Sequence, residues 1–334
     1  MKPTIYNVAE QAGVSIATVS KVINNTGRIS DKTKKKVLKV MKELNYQPSV
    51  VASALTGKRT QTIGLLIPNI ANPFFAEIAR SMEDRAHELG FSVVMCSTDY
   101  QQEKEEKYIS LLIRKQVDGF ILASGFKSTH LIEELVKQKI PVALIAHDIA
   151  SLSLDTVSVD DYKGGYQAVS HLASLGHERI SIIAEEVRSN DDRIRGYQDA
   201  LEAYGLIFDS SLLTRTASTV DAGKQEAERL LRLKERPTAI FASNDILAIG
   251  AIQGARACGL SVPEDISIVG FDNTILATIS DPPLTTVAQP VHDMGRHVMD
   301  LLVEEIEGKK TMKQRMMLSP ELVVRNSTAA PLIR

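Results

Sequence analysis

Short apolar runs alternate with helical stretches between residues 62 and 160. Five runs predict short buried strands, at 62–68, 91–96, 117–123, 140–146 and 156–160. Helical stretches lie between them, notably at 75–89, 103–115 and 129–138. Strands that alternate with helices are typical of a parallel sheet with right-handed crossovers, so this region is predicted to be α/β.

The same alternation starts again in the second half of the chain. It predicts strands at 179–184, 238–242 and 266–271, with helices at 193–205, 221–232 and 245–258. A late helix at 291–307 and a strand at 321–325 are expected to return to opposite halves. We therefore expect a bilobed body over 61–334 with a cleft between two parallel-sheet subdomains: lobe 1 about 61–160 and 292–320, and lobe 2 about 161–291 and 321–330.

The charge of the chain is unevenly distributed. Residues 1–60 contain 11 Lys and Arg against 3 Asp and Glu, whereas the remaining residues contain 28 against 38. A basic N-terminal segment on an acidic body favours a nucleic-acid partner for that segment alone.

Three short amphipathic helices are predicted in this basic segment. Thr4 can cap a helix over 5–11, Ser15 a second over 16–23, and Ser30 a third over 31–44. Gly13 supplies the turn between the first two. Three short helices with a glycine in the first turn indicate a helix-turn-helix DNA-binding domain over residues 1–46.

In a helix-turn-helix domain the second helix enters the major groove of double-stranded DNA. Its exposed residues are predicted to be Ile16, Ala17, Thr18, Ser20 and Lys21. Ile16 and Ala17 can contact a thymine methyl, and Lys21 can donate to guanine. The side chains suited to phosphate contacts are Tyr6, Ser15, Asn24, Ser30, Lys32 and Thr33.

A hinge or linker is predicted over residues 47–60. Pro48, Ser49 and Gly57 frame a helix that is too short to be stable alone in water. Its apolar side includes Ala54 and Leu55, and a leucine can act as a wedge between base steps in the minor groove. We expect this segment to order on DNA.

The segments "TIYNVAEQAGVSIATVSKVINNTGRIS" and "ELNYQPSVVASALTGK", together with the body motifs, resemble the lactose/galactose-repressor family of bacterial transcription regulators. The resemblance covers residues 4–327. It implies a homodimer on a pseudopalindromic operator, paired hinge helices in the minor groove with Leu55 as the wedge, and a body of the periplasmic-sugar-binding-protein type. Ile16-Ala17 lies where family members vary most, and Lys21 lies where arginine is frequent, so no relative's operator can be transferred.

Ligands of open parallel sheets lie beyond the carboxyl ends of the strands. Polar and aromatic residues at these ends include Asn69, Asn72, Phe74, Phe75, Asp160, Asp161, Arg193, Asn244, Asp245 and Asp272. Such a set suits a small polyhydroxylated ligand. By resemblance, the residues that match effector-contacting positions of the family are Phe75, Asp160, Arg193, Ser218, Asn244 and Asp272. The effector class stays open among sugars, sugar phosphates and nucleobase-like molecules.

Several of these side chains have alternative interpretations. Asp245 can cap the helix that follows its strand, and Asp272 can be a turn residue. Arg193 can pair with Asp191 or Asp192, and Phe74 can belong to the core.

The remaining sequence features narrow the function classes. Phosphate-loop, dinucleotide-binding, zinc-protease and serine-hydrolase motifs are not found, so we expect neither an enzyme nor a cofactor. Cys96, Cys258 and the seven His lack metal-ligand spacing. No apolar run is long enough to cross a membrane, and the N-terminus lacks the apolar region of a signal peptide, which favours the cytoplasm.

Two non-enzymatic classes therefore remain. A solute-binding protein of a transporter would fit residues 62–327 alone, but the DNA-binding domain lies where its signal peptide would be. We expect a transcription regulator, most simply a repressor gated by a small-molecule effector. A protein co-regulator that docks on the body is the alternative.

Overall fold

The chain divides into two units, Met1–Thr60 and Gln61–Arg334. The computed structural model describes residues 3–23, 26–46, 59–123, 126, 129–187 and 189–332. The predicted hinge helix over 49–56, with Ala54 and Leu55, lies outside the described residues, and so does Asn24.

The first unit contains three helices, α1 (Ile5–Ala12), α2 (Ile16–Ile23) and α3 (Asp31–Glu43). Gly13 ends α1 with a φ of 61°, a left-handed conformation that glycine adopts without steric cost. Ser15 Oγ accepts a hydrogen bond from the backbone N–H of Thr18 at 3.1 Å, and Ser30 Oγ accepts one from that of Thr33 at 3.3 Å. The local signals therefore predicted the starts of α2 and α3 correctly.

The core of this first unit is small and draws on all three helices. Its buried members among the described residues are Val8, Ala9, Ala12, Val19, Val22, Val37 and Val40. Alanine at two positions of α1 permits the close approach of the helices, and the valines fill the space between them. The exposed side of α3 carries mainly charged residues with Leu38, whereas that of α2 presents Ile16 and Ala17 together with Lys21.

The second unit contains two six-stranded sheets. The first has the order β11-β5-β4-β3-β1-β2, and every neighbouring pair is parallel. Its strands are β1 (Thr62–Ile67), β2 (Ser92–Ser97), β3 (Gly119–Ala123), β4 (Val142–Ile145), β5 (Asp155–Val159) and β11 (Arg315–Leu318). Its helices are α4 (Pro73–Glu88), α5 (Gln102–Arg114) and α6 (Thr129–Lys137).

The second sheet has the order β12-β10-β9-β8-β6-β7 and is parallel except for the β10–β12 pair. Its strands are β6 (Ile180–Glu185), β7 (Leu213–Thr216), β8 (Ala239–Ala242), β9 (Ser267–Asp272), β10 (Thr285–Ala288) and β12 (Glu321–Val323). Its helices are α7 (Asp161–Ser174), α8 (Ser189–Ala203), α9 (Val220–Leu231), α10 (Asp245–Ala257) and α11 (Ile275–Ile279).

The chain passes between the two sheets three times. It leaves the first sheet after β5, returns after β10 through α12 (Val291–Glu307), and enters the second sheet again between β11 and β12. The buried face of α12 joins the core of the first sheet, where Met294, Val298 and Leu302 pack with α4. Each sheet is thus built from discontinuous parts of the chain.

Two features of the second unit differ from the sequence prediction. Helix α8 begins at Ser189, four residues before the predicted 193, because Asp191 and Asp192 suit the first turn, where the helix dipole favours negative charge. The sequence pattern also did not predict two helices, α7 and α11, and three strands. Of the three strands, β7 and β11 are short, partly exposed sheet edges, and β10 buries Thr285 and Thr286, whose hydroxyls are hydrogen-bonded.

Candidate functional site

The candidate nucleic-acid surface of the first unit is one side of α2. Ile16, Ala17 and Lys21 are exposed there, on the side opposite the buried Val19 and Val22. The structure therefore places the predicted base-reading residues, with the half-buried Thr18 and Ser20, on one face. The predicted phosphate contacts Tyr6, Ser15, Ser30 and Lys32 are also exposed, while Thr33 is half-buried and its hydroxyl pairs with that of Ser30 at 2.9 Å.

Gly27 supports the position of Lys21 in a way that the sequence analysis missed. Gly27 has a φ of 74°, and a Cβ at this position would lie 3.5 Å from Lys21 Cδ. The aliphatic part of Lys21 therefore packs over the loop that follows α2. Packing of this kind restricts the side chain and leaves its ammonium group exposed.

The candidate ligand site of the second unit is a cavity at the carboxyl ends of strands from both sheets. Phe74 and Phe75 reach it from the start of α4, Arg193 from α8, Asn244 from the end of β8 and Asp272 from the end of β9. Four of the six predicted effector residues, Phe75, Arg193, Asn244 and Asp272, thus line one cavity.

The Arg193 side chain contacts a carboxylate, a backbone carbonyl and an aromatic ring. Its Nε donates to Asp161 Oδ1 at 2.7 Å, and its Nη1 donates to the carbonyl oxygen of Ser243. Its guanidinium carbon lies 3.6 Å from the centre of the Phe271 ring. The predicted alternative pairing with Asp191 or Asp192 is wrong, because α8 begins earlier and turns Arg193 toward α7.

Two glycines bring Arg193 and Asp161 together. A Cβ at Gly165 of α7 would lie 2.3 Å from the carbonyl oxygen of Arg193, and one at Gly196 of α8 would lie 2.2 Å from that of Tyr162. Helices α7 and α8 therefore touch through their backbones. Burial raises the pKa of the Asp161 carboxyl, and the adjacent Arg193 guanidinium opposes that rise.

Asp272 is buried and has an unusual backbone conformation. Its φ is 109°, in the region that favours glycine, and such strain is concentrated at functional sites. Its Oδ1 accepts a hydrogen bond from Gln289 Nε2 at 2.7 Å. Burial raises the pKa of Asp272 well above its ordinary value, although the Arg193 charge opposes this. The alternative prediction of a simple turn residue does not account for a buried, hydrogen-bonded carboxyl at a strand end.

A hydrogen bond between the two sheets crosses the cavity. The Tyr100 hydroxyl, just after β2 of the first sheet, donates to Glu185 Oε1 at the end of β6 of the second at 2.7 Å. Asn244 Nδ2 donates to Glu185 Oε2 at 3.2 Å. Burial raises the pKa of both Tyr100 and Glu185, and the hydrogen bond from Tyr100 opposes the rise at Glu185.

Several lining residues were not predicted from the sequence: the polar Tyr100, Glu185, Ser189, Asn190 and Gln289, and the apolar Ala146, Val159 and Val187. Asp161 was a candidate at a strand end but was not among the predicted effector contacts. Glu185 ends its strand, so the rule that selected Asn244 and Asp272 could also have selected it. Gln289 directly follows β10, a strand that the sequence did not predict, and Tyr100 lies three residues after Ser97, the last residue of β2.

Two predicted effector residues lie elsewhere. Asp160 caps α7, where its Oδ1 accepts from the backbone N–H of Lys163 at 2.9 Å, and it lines a neighbouring cavity. Ser218 does not line the cavity; its Oγ accepts a hydrogen bond at 2.7 Å from Nδ2 of Asn244, which does. Their contact with an effector stays a prediction.

The alternative role predicted for Asp245 is wrong. Asn244 caps α10, since its Oδ1 accepts from the backbone N–H of Leu247 at 2.9 Å. Asp245 instead accepts hydrogen bonds from Thr274 and Thr286 beneath the cavity. Burial raises its pKa to about 6.

The cavity has a volume of about 30 Å³, whereas ligand pockets for small molecules commonly span ~300–1,000 Å³. A sugar-sized molecule does not fit a cavity of this volume, so we expect the two sheets to move apart when one enters. Because Tyr100 and Glu185 join the two sheets, we expect their hydrogen bond to break in that movement. In the described part of the chain, no group of three His, Cys, Asp or Glu is arranged to hold a metal ion. The described helices include none that could span a membrane.

Comparisons with known proteins match both units of the chain. Residues 4–49 match the model of bacterial regulatory proteins of the lacI family, and residues 169–328 match the periplasmic binding protein-like domain. The HTH-type transcriptional regulator DegA of Bacillus subtilis (strain 168) is 52% identical over 334 residues, which cover 98% of this chain and 99% of DegA.

Two solved structures extend the comparison to three dimensions. The lac repressor dimer bound to operator and the anti-inducer ONPF has a TM-score of 0.88 at 30% identity, with 99% of this chain and 100% of that one covered. The complex of the transcriptional regulator CelR with cellobiose has a TM-score of 0.76 at 32% identity, with 97% and 99% covered.

A helix-turn-helix domain joined to a periplasmic-binding-like body defines a class of transcription regulators and not a class of enzymes. The chain belongs to the LacI family of bacterial regulatory proteins. The resemblance and the fold class predicted from the sequence are thereby confirmed.

Proposed function

We propose that this regulator is a repressor that binds a pseudopalindromic operator as a homodimer and is gated by a small molecule in the cleft. The observation that carries the proposal is the cavity, because its lining comes from both sheets and a ligand there would contact both. A ligand that prefers one arrangement of the sheets shifts the population toward it. Operator DNA must then alter ligand affinity by the same factor.

The DNA contacts follow from the exposed side of α2. Ile16 and Ala17 supply apolar contacts and Lys21 supplies a base-specific donor, whereas Ser30 and Lys32 hold phosphates. Leu55 is proposed as the wedge at the centre of the operator, with Ala54 beside it. This function places the protein in the cytoplasm, on chromosomal DNA.

Homodimerisation is supported by exposed apolar side chains on α11. Ile275 and Ile279 are 56% and 68% exposed, and Ile275 borders a groove along α4 that Ala76 and Glu77 line. Exposed apolar patches of this kind mark interaction surfaces. Ile279→Asp should therefore produce monomers in sedimentation velocity, whereas Ile207→Asp, at an isoleucine that is 90% exposed elsewhere, should leave the dimer intact.

The test begins with selection of genomic fragments by the purified protein, followed by sequencing of the bound DNA. We expect an inverted repeat, and a single asymmetric half-site would contradict the dimer. Fractions of a metabolite extract are then added to the complex of protein and operator, and DNA binding is followed by fluorescence anisotropy. At least one fraction should change operator affinity.

A pair of variants then locates the site of that response. Asp272→Asn should retain operator binding and lose the response, because asparagine tolerates the positive φ but lacks the charge. Asp281→Asn, at an aspartate whose side chain is 92% exposed, should respond normally. A response that survives Asp272→Asn would place the effector outside the cleft, and a response only to protein fractions would favour a co-regulator.

A further inference from the structure

The polar atoms that line the cleft are mainly hydrogen-bond acceptors. Within the described part of the chain, no ion pair joins the carboxylate of Glu185 or Asp272 to a cation, and their side-chain hydrogen bonds come from Tyr100, Asn244 and Gln289. Arg193 is the one cation that lines the cavity within the described residues, and Asp161 pairs with it.

Two further acceptors of the same cavity have no hydrogen-bond partner within the described structure. They are Asn190 Oδ1 and Gln289 Oε1, on side chains whose residues are 1% and 7% exposed. The orientation of the Gln289 amide is set by Asp272, because a carboxylate accepts only from the nitrogen. An unpaired buried acceptor is costly, so these atoms favour a ligand that donates hydrogen bonds.

We propose that the effector is a polyol without negative charge, neutral or amine-bearing, and that Glu185 is the residue that excludes anionic analogues. The inference rests on the proposed function and narrows the ligand class at the same site. Hydroxyl and ammonium groups can donate to all four acceptors. A phosphate or carboxylate would lie against two unpaired carboxylates in a site from which water is largely excluded, where like charges repel strongly.

The test uses the full-length protein and matched sugars. For each common aldohexose and aldopentose, four forms are compared where they exist: the free sugar, the 2-amino sugar, the terminal phosphate and the uronic acid. Binding is measured by the shift in melting temperature and then by calorimetry. For any parent sugar whose forms bind, the free sugar or the amino sugar should bind at least about tenfold more tightly than the phosphate or the uronic acid.

Variants at neighbouring glutamates show whether Glu185 causes the selection. Glu185→Gln should reduce the preference against anionic forms by about tenfold or more, because glutamine keeps the size and can still accept from Tyr100. Glu186→Gln is the matched control, since Glu186 is the exposed adjacent residue, and it should leave the preference unchanged.

Three results would overturn the inference. One is tighter binding of a phosphate or uronic acid than of its parent sugar, and another is an unchanged preference in Glu185→Gln. The third is failure of every sugar to bind. The proposed function is judged separately, because an anionic or non-sugar effector found in the extract fractions would leave ligand gating intact while this inference fails.

Discussion

The helix-turn-helix unit and the cleft handle charge in opposite ways. The first unit exposes its cations over a core of seven small residues, whereas the cleft buries its charged groups between two large sheets. When an exposed lysine is removed, no buried charge loses its partner. When one member of a buried ion pair is removed, the other charge stays buried without a partner. Substitutions of charge should thus affect DNA binding alone in the first unit, and stability as well as ligand binding in the cleft.

The largest effect is expected at Arg193. Arg193→Met should lower the free energy of unfolding by about 3–5 kcal/mol, because Asp161 would remain buried without its cation. Denaturant unfolding of the second unit measures this. Arg195→Met is a close control: Arg195 also makes an ion pair, with Asp192, and lies 5.0 Å from the Tyr162 ring, but its side chain is 61% exposed. Arg195→Met should lower the free energy of unfolding by less than about 1 kcal/mol. Equal losses in the two variants would contradict the difference between exposed and buried charges.

Because Asp245 is buried, its ionisation should make the free energy of unfolding depend on pH. Its folded-state pKa of about 6 lies above the ordinary 3.8, so its protonated form favours folding. The stability it contributes is present below about pH 4 and is lost as the pH rises through about 6, by roughly 3 kcal/mol. Asp245→Asn should flatten the unfolding free energy between pH 4 and 7 relative to the parent protein.

Asp161, Glu185 and Asp272 contribute to the slope that remains in Asp245→Asn, since burial raises each of their pKa values in the same direction. Asp221→Asn, at an exposed aspartate in the first turn of α9, serves as the control and should reproduce the parent profile. A parent-like slope in Asp245→Asn would show that Asp245 is ionised throughout this range.

In the DNA-binding unit, Lys21→Ala should cost ~1–3 kcal/mol in operator affinity and relax the preference at one base pair. Lys32→Ala should instead weaken binding to operator and random DNA equally and reduce the salt dependence by about one ion. Both lysines are exposed, so the unfolding free energy should stay within about 0.5 kcal/mol of the parent value in each variant. Equal loss on operator and random DNA for Lys21→Ala would remove its role in base recognition.

The same contrast explains what the sequence could predict. The starts of α2 and α3 depend on Ser15 and Ser30, whose hydrogen bonds reach only three residues along the chain. The cleft depends on pairs that are far apart, such as Tyr100 with Glu185 and Gln289 with Asp272. Polar residues at the carboxyl ends of the predicted strands indicated the edge of the sheets at which the site lies. They could not show which neighbouring carboxylate turns inward, and Asp161 does so in place of Asp160 because Asp160 caps α7.

The smallest expected effect concerns the hydrogen bond between the two sheets. Tyr100→Phe removes the donor to Glu185 and should lower the free energy of unfolding by only about 1 kcal/mol. Because we expect the same bond to break when a ligand enters, the variant should also open more easily and bind ligand up to about tenfold faster, as stopped-flow fluorescence can measure. Tyr162→Phe is the matched control. The Tyr162 hydroxyl of α7 donates to Asp199 of α8 at 3.0 Å, and both helices belong to the second sheet. Loss of this hydrogen bond should therefore leave the association rate unchanged. If both variants bind at the parent rate, the contact between Tyr100 and Glu185 does not restrict entry to the cleft.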